Sequence, residues 1–185
     1  EYFERPDVDV SKVKGIVVVH LFGQPCDMDE VMRISEEYGI PVVEDAAQAF
    51  GAMWRGRKVG SFGLAGCLSF FPTKNLGCFG DGGMVVTWDD EVADVVRMLR
   101  RHGGRDKYNV ELLGHNSRLD TLQAAVLLVK LRYVDRFNEL RRRVARYYTE
   151  RLRGAKGIKP PVEKHPGVGY HVYHQYTIRA ERRDE

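Results

Sequence analysis

An α/β fold built on a parallel sheet is predicted by three features of this sequence. Lys14 to His20 is a continuous Val-rich run, the pattern of a strand buried on both faces rather than one alternating between core and solvent. Asp27-Met28-Asp29-Glu30 has the form of a capping box, opening a helix through Val31, Ile34 and Tyr38 that Gly39 stops. Ile40 to Glu44 is a second apolar strand, completing a strand–helix–strand unit whose strands run parallel.

The remaining elements follow in order. Ala65 to Phe71 and Met84 to Thr87 are short strands, and the glycine-rich stretch Gly77 to Gly83 is a turn into the second of them. As a nucleotide loop that stretch fails, because it opens no helix and lacks the Lys-Ser/Thr of a P-loop. Asp89 to His102 is a helix ended by Gly103-Gly104, and the polar stretch on to Gly114 is a loop. Ser117 then caps a long helix, with Asp120 as its capping-box acid and apolar residues from Leu119 through Leu122, Val126 and Val129 to Tyr147. Running to about Gly154, roughly 35 residues, it exceeds an ordinary globular helix and therefore bends or connects two domains. Lys156 to Gly169, with Pro160, Pro161 and Pro166, is a crossover loop. His171 to Ala180 reads as a strand, with His171 and Tyr173 on one side and Val172 and His174 on the other.

Composition narrows the function. The 185 residues are 43% hydrophobic, enough for a substantial core, and 29 basic against 26 acidic residues leave a net charge of only +3. So balanced a charge gives no electrostatic case for a nucleic-acid or membrane partner. No apolar run approaches the roughly 20 residues that span a bilayer. The opening Glu1-Tyr2-Phe3-Glu4-Arg5-Pro6 lacks the order of a signal peptide. Cys26, Cys67 and Cys78 are odd in number and form no Cys-x-x-Cys pair, so neither a disulfide framework nor a zinc site is indicated and a reducing cytoplasm is the default. With no initiator methionine and an end at Arg182-Arg183-Asp184-Glu185, shortly after the last strand, the chain reads as a fragment.

The chemistry centres on Lys74. It follows the apolar approach Phe70-Phe71-Pro72, where desolvation favours a nucleophilic amine, and stands five residues after Ser69. A lysine so placed can form a Schiff base beside a phosphate anchored by Ser69 and the following backbone. Asp45 closes a parallel strand, where ligands bind in open α/β sheets, and can hold a pyridinium nitrogen; its alternative role is a helix N-cap before Ala46-Ala47. Gln48 can bond a neighbouring ring substituent. Together they suggest pyridoxal phosphate (PLP). His165, His171 and His174 form no metal set, since alternation separates the last two, and His20 is a satisfied buried histidine near Asp45. Arg141-Arg142-Arg143 is the solvated face of the long helix.

Four motifs in order resemble one family. They are Val19-His20-Leu21-Phe22-Gly23, Glu44 through Ala52, Ser69 through Gly83, and Gly114-His115-Asn116-Ser117-Arg118-Leu119-Asp120 through Ala125. Their order and spacing, over nearly the whole chain, resemble the DegT/DnrJ/EryC1/StrS family of PLP-dependent sugar aminotransferases. The resemblance implies an aspartate-aminotransferase-like, fold type I architecture: part of a three-layer α/β/α large domain in residues 1–130, then the connecting helix and the start of a small C-terminal α+β domain in residues 131–185. It assigns the Schiff base to Lys74, the ring nitrogen to Asp45, the ring hydroxyl to Gln48 and the phosphate to Ser69. Asn116 matches an asparagine that reaches the phosphate in the neighbouring subunit, implying a homodimer with shared sites.

The implied reaction is ping-pong transamination of a keto-sugar nucleotide, 3-keto or 4-keto, with glutamate as donor. Asn116 to Asp120 and Tyr173-His174-Gln175-Tyr176-Thr177 are similar to members acting on 3-keto sugars. Two departures stand out: the family's preceding segment, with another phosphate turn and a ring-stacking aromatic, is absent, and the C-terminal domain is cut short. A sister branch that dehydrates sugars carries histidine where Lys74 stands, which favours transamination. A regulatory protein is the alternative from another class.

Overall fold

Two parallel strands carry the sheet, as the sequence predicts: β1 (Ile16–Val19) pairs with β2 (Val42–Asp45), placing Val17 beside Val43 and Val19 beside Asp45. The computed structural model describes residues 9–184, so the opening residues 1–8 and Glu185 lie outside the described residues. Between the two strands runs α1 (Met28–Tyr38). The Asp27 carboxylate accepts the Glu30 N–H at 3.1 Å, and Gly39, at φ 63°, ends the helix. Only half of the capping box forms, because the Glu30 side chain turns to Arg33 instead. Met28, Val31 and Met32 pack on Val18, Val42 and Trp54, forming the core beneath one sheet face.

A short hairpin follows, β3 (Met53–Trp54) with β4 (Arg57–Lys58), which the sequence reading missed. Strand β5 (Ala65–Ser69) then joins β2 in parallel, and β6 (Gly83–Thr87) pairs antiparallel to β5, giving the order β1-β2-β5-β6. The expectation of a doubly buried first strand is corrected. Val18 is buried, but Val17 and Val19, on the opposite face, are 69% and 43% exposed.

Helix α2 (Asp90–Leu99) is capped by Asp89, which accepts the Val92 N–H at 2.9 Å. The predicted Ser117 cap does not form. His115 and Ser117 donate their N–H groups to Leu99 and Arg100, so this stretch is tied to the end of α2 as extended chain. Helix α3 (Thr121–Leu131) starts after Asp120 instead. The long helix breaks at Arg132-Tyr133 and resumes as α4 (Val134–Leu152), the bend its length predicts.

The C-terminal stretch departs most from expectation. Strand β7 (Ile158–Lys159) pairs with β9 (Arg179–Ala180), and β8 (Gly169–Tyr170) joins β3, but His171 to Ile178 is not a strand. Its carbonyls are claimed by α4. Arg142 donates to the His171 carbonyl at 2.8 Å, and Arg141 to those of Tyr173 and His174 at 3.2 Å each. Arg141 and Arg142 are thus half-buried braces rather than a solvated face; of the three arginines, Arg143 alone is exposed.

Candidate active site

The C-terminal ends of β1, β2 and β5 lie side by side, and the candidate residues gather there. Register pairs Asp45 with Cys67, so their side chains share a sheet face, and Ser69, two residues further along β5, shares it too. Burial and then the Asp45 carboxylate push the Cys67 thiol up, which marks negative charge on this face. The helix-cap alternative for Asp45 fails, because residues 46–50 form turns and loop rather than a helix. Its carboxylate oxygen accepts the Ala47 N–H at 3.0 Å, closing a local turn. Ser69 Oγ accepts the Phe71 N–H at 3.3 Å.

Gln48 and Lys74 enter from the loops above. The Gln48 Oε1 accepts the Phe22 N–H at 2.6 Å, where Phe22 stands at φ 60°, and the Gln48 NH2 group has no hydrogen-bond partner among the described residues. Lys74 sits half-buried in the turn after β5, with its backbone N–H donated to the Phe71 carbonyl at 2.9 Å. His174 closes the group. Gly23 approaches so tightly that a Cβ there would lie 3.0 Å from both the Gln48 carbonyl and the His174 nitrogen. Burial, then the Lys74 and Arg141 cations, push the His174 imidazole below its usual value. Asn116 is not part of this gathering. It is exposed, bridges to Arg101, and its side-chain oxygen accepts from Arg118 at 3.0 Å.

Beneath the site lies a polar centre that sequence reasoning did not find. Glu44 is fully buried and takes the N–H groups of Gly60, Phe62 and Gly63 at 2.6–2.9 Å, as well as His20 Nε2 at 3.1 Å. His20 is the satisfied buried histidine expected: its backbone N–H donates to the Asp45 carbonyl at 3.0 Å and its ring faces Glu44. Its Nδ1 accepts the Cys26 N–H at 3.1 Å, so the hydrogen is on Nε2 and points at Glu44. The signal was present: Glu44 shares its face with Val42, two residues before it, and therefore points into the core.

Burial alone would raise the Glu44 carboxyl, but His20 and the three N–H groups outweigh it and hold the group below its usual 4.5. A depressed carboxylate stabilises the fold fully above that usual value and loses the contribution as pH falls through the lower folded-state value. Glu44→Ala is therefore expected to cost about 3–5 kcal/mol near neutrality. In denaturant titrations the gap from the unmodified protein should narrow on acidification; a gap independent of pH would contradict this role.

An open, mixed α/β sheet with an amine, a carboxylate, a hydroxyl and an amide at its C-terminal edge defines the large-domain architecture of aspartate-aminotransferase-like proteins, here in part. Residues 9–185 match the DegT/DnrJ/EryC1/StrS aminotransferase family, and the chain belongs to it. It is 51% identical over 175 residues to a "Pleiotropic regulatory protein" of Geobacillus stearothermophilus, covering 95% of this chain and 47% of the relative. It is 48% identical over 174 residues to the dTDP-3-amino-3,4,6-trideoxy-alpha-D-glucose transaminase of Streptomyces venezuelae, covering 94% of this chain and 45% of that one. The crystal structure of S. venezuelae DesV in complex with a ketimine intermediate superposes with a TM-score of 0.86 at 48% identity, covering 92% of this chain and 46% of DesV. The chain thus spans about half the length of these relatives. Among the described residues no helix is long and apolar enough to cross a membrane, and no group of three His, Cys, Asp or Glu side chains is placed to hold a metal ion.

Proposed function

We propose that the full-length protein containing this chain is a PLP-dependent aminotransferase. It moves an amino group from L-glutamate to a 3-keto or 4-keto hexose nucleotide, in the cytoplasm, for amino-sugar and cell-surface polysaccharide synthesis. The observation that carries this reading is that Asp45 and Ser69 end neighbouring parallel strands, with Gln48 and Lys74 in the loops that leave those ends. The name of the Streptomyces venezuelae relative supports the substrate class, and three free thiols support a reducing compartment.

The residues suit PLP by their chemistry. When bound, PLP supplies an electron sink for the bonds around the amino-bearing carbon. Asp45, on the face left open by Val17 and Val19, holds a proton at the ring nitrogen. The NH2 of Gln48, freed by the commitment of its oxygen to Phe22, serves the ring hydroxyl, and Ser69 Oγ–H serves the phosphate. The Lys74 amine holds the cofactor and shuttles the proton between cofactor and substrate carbons. We propose the division of residues 1–130 as part of the cofactor-binding domain and 131–185 as the connecting helix and the start of the small domain; the bend at Arg132-Tyr133 supports it. With PLP and L-glutamate, the full-length protein should release 2-oxoglutarate in one stoichiometric burst, and a 3-keto sugar nucleotide should restart it. No burst would overturn the reading. It would favour the non-catalytic regulator suggested by the Geobacillus stearothermophilus relative's name.

The exposure of Asn116, apart from the other site residues, supports a role in the partner's site of a homodimer. Two inactive variants, Lys74→Ala and Asn116→Asp, should regain part of the activity when their subunits exchange, because one site of the mixed dimer then carries both defects and the other neither. Mixtures that stay inactive despite proven exchange would remove Asn116 from the partner's site.

A further inference from the structure

We infer that Asn138, on α4 and far from Lys74 in sequence, is a positioning residue that fixes Lys74 opposite His174. The link between them is a pair of buried amides. Asn75, next to Lys74, donates its NH2 both to Asn138 Oδ1 at 2.7 Å and to the Val172 carbonyl at 3.0 Å. Asn138 in turn donates to the Phe50 carbonyl at 3.1 Å, two residues past Gln48. One cluster thus ties together the Lys74 turn, the Gln48 loop, helix α4 and the stretch that carries His174. Asn75, Asn138 and Val172 are 6%, 1% and 0% exposed, so water does not compete for these bonds.

The surroundings are shaped for this pair. Gly51, at φ 86°, lies where a Cβ would come within 2.6 Å of the Asn138 amide nitrogen. Asn75 Oδ1 is buried and has no partner among the described residues. Flipping that amide would not relieve it, because the oxygen would then face the Asn138 and Val172 oxygens. The fold therefore tolerates an unsatisfied acceptor, a stability cost, to keep both donated bonds. Across the gap, Tyr173 is held at φ 44° and Arg141 grips the carbonyls of Tyr173 and His174. His174 Nδ1 is likewise buried without a partner among the described residues. Of the three buried polar atoms without a partner among the described residues, two, Asn75 Oδ1 and His174 Nδ1, lie on the segments this cluster joins, beside the strained Tyr173, as expected where geometry serves chemistry rather than stability.

This inference rests on Lys74 being the reactive amine, and its test is read without cofactor. The His174 imidazole is titrated by NMR in the cofactor-free full-length protein, with Lys74→Met as reference. Losing the Lys74 cation should raise the His174 midpoint, and Asn138→Ala should raise it as well, because Lys74 moves away. The double variant should rise no further than Lys74→Met alone, with Arg141 present throughout. In the loaded protein, Asn138→Ala should lower kcat on the order of 10-fold to 10²-fold, with a smaller change in KM. An unchanged His174 midpoint alongside a lower melting temperature would make Asn138 merely structural and overturn the inference. Should Asn138→Ala not fold, Asn75→Ser removes the same link from the other side and is judged by the same midpoint. Cofactor found on another lysine would instead overturn the proposed function, leaving the Lys74–His174 coupling measurable.

Discussion

Replacing Lys74 with alanine is expected to lower the amino-transfer rate of the full-length protein at least on the order of 10²–10⁴, the loss typical of a missing acid/base group. The structure isolates this effect from folding. The Lys74 side chain makes no hydrogen bond or ion pair among the described residues, and the backbone bond to Phe71 that sets the turn survives the substitution. Thermal stability of the cofactor-free protein should therefore move by no more than about 0.5 kcal/mol. Steady-state rates and melting curves on the same preparations check both halves. A large loss of stability would instead give Lys74 a structural part in the loop.

Asp45→Asn has the second largest expected effect. Asparagine keeps the oxygen that accepts the Ala47 N–H at 3.0 Å, so the local turn should persist and the melting temperature should barely change. What disappears is the negative charge on the open sheet face, which, after burial, raises the Cys67 thiol. Without it a ring nitrogen is not kept protonated, and the rate should fall steeply. The Cys67 thiol should also fall toward its usual value, which thiol-labelling rates against pH would show. Activity retained in Asp45→Asn would reduce Asp45 to its turn bond.

The strand–helix–strand start was legible because its signals are local and agree. Asp27, Glu30 and Gly39 mark the ends of α1, and the valines mark the strands on either side. The placement of Asp45 and Ser69 at the ends of neighbouring parallel strands was legible from motif spacing, because each follows a short apolar run. What stayed hidden depends on distant partners. Strands β3 and β4 are two residues each, too short for any periodicity. Alternation from His171 to Ile178 suggested a strand, yet Arg141 and Arg142, about thirty residues earlier in the chain, take the carbonyls a neighbouring strand would need. Ser117 had a good cap sequence, but its N–H is donated to the end of α2. Asn75 and Asn138 carry no local signal at all; only the fold brings them to 2.7 Å.

The proposed function stands or falls with Lys74 as the residue that carries the cofactor. Borohydride reduction of the full-length protein loaded with PLP, followed by proteolysis and peptide mass mapping, tests it most directly. The pyridoxyl group is expected on the peptide containing Phe70-Phe71-Pro72-Thr73-Lys74, and none is expected in Lys74→Ala. Label on any other lysine, or undiminished label in Lys74→Ala, would contradict it.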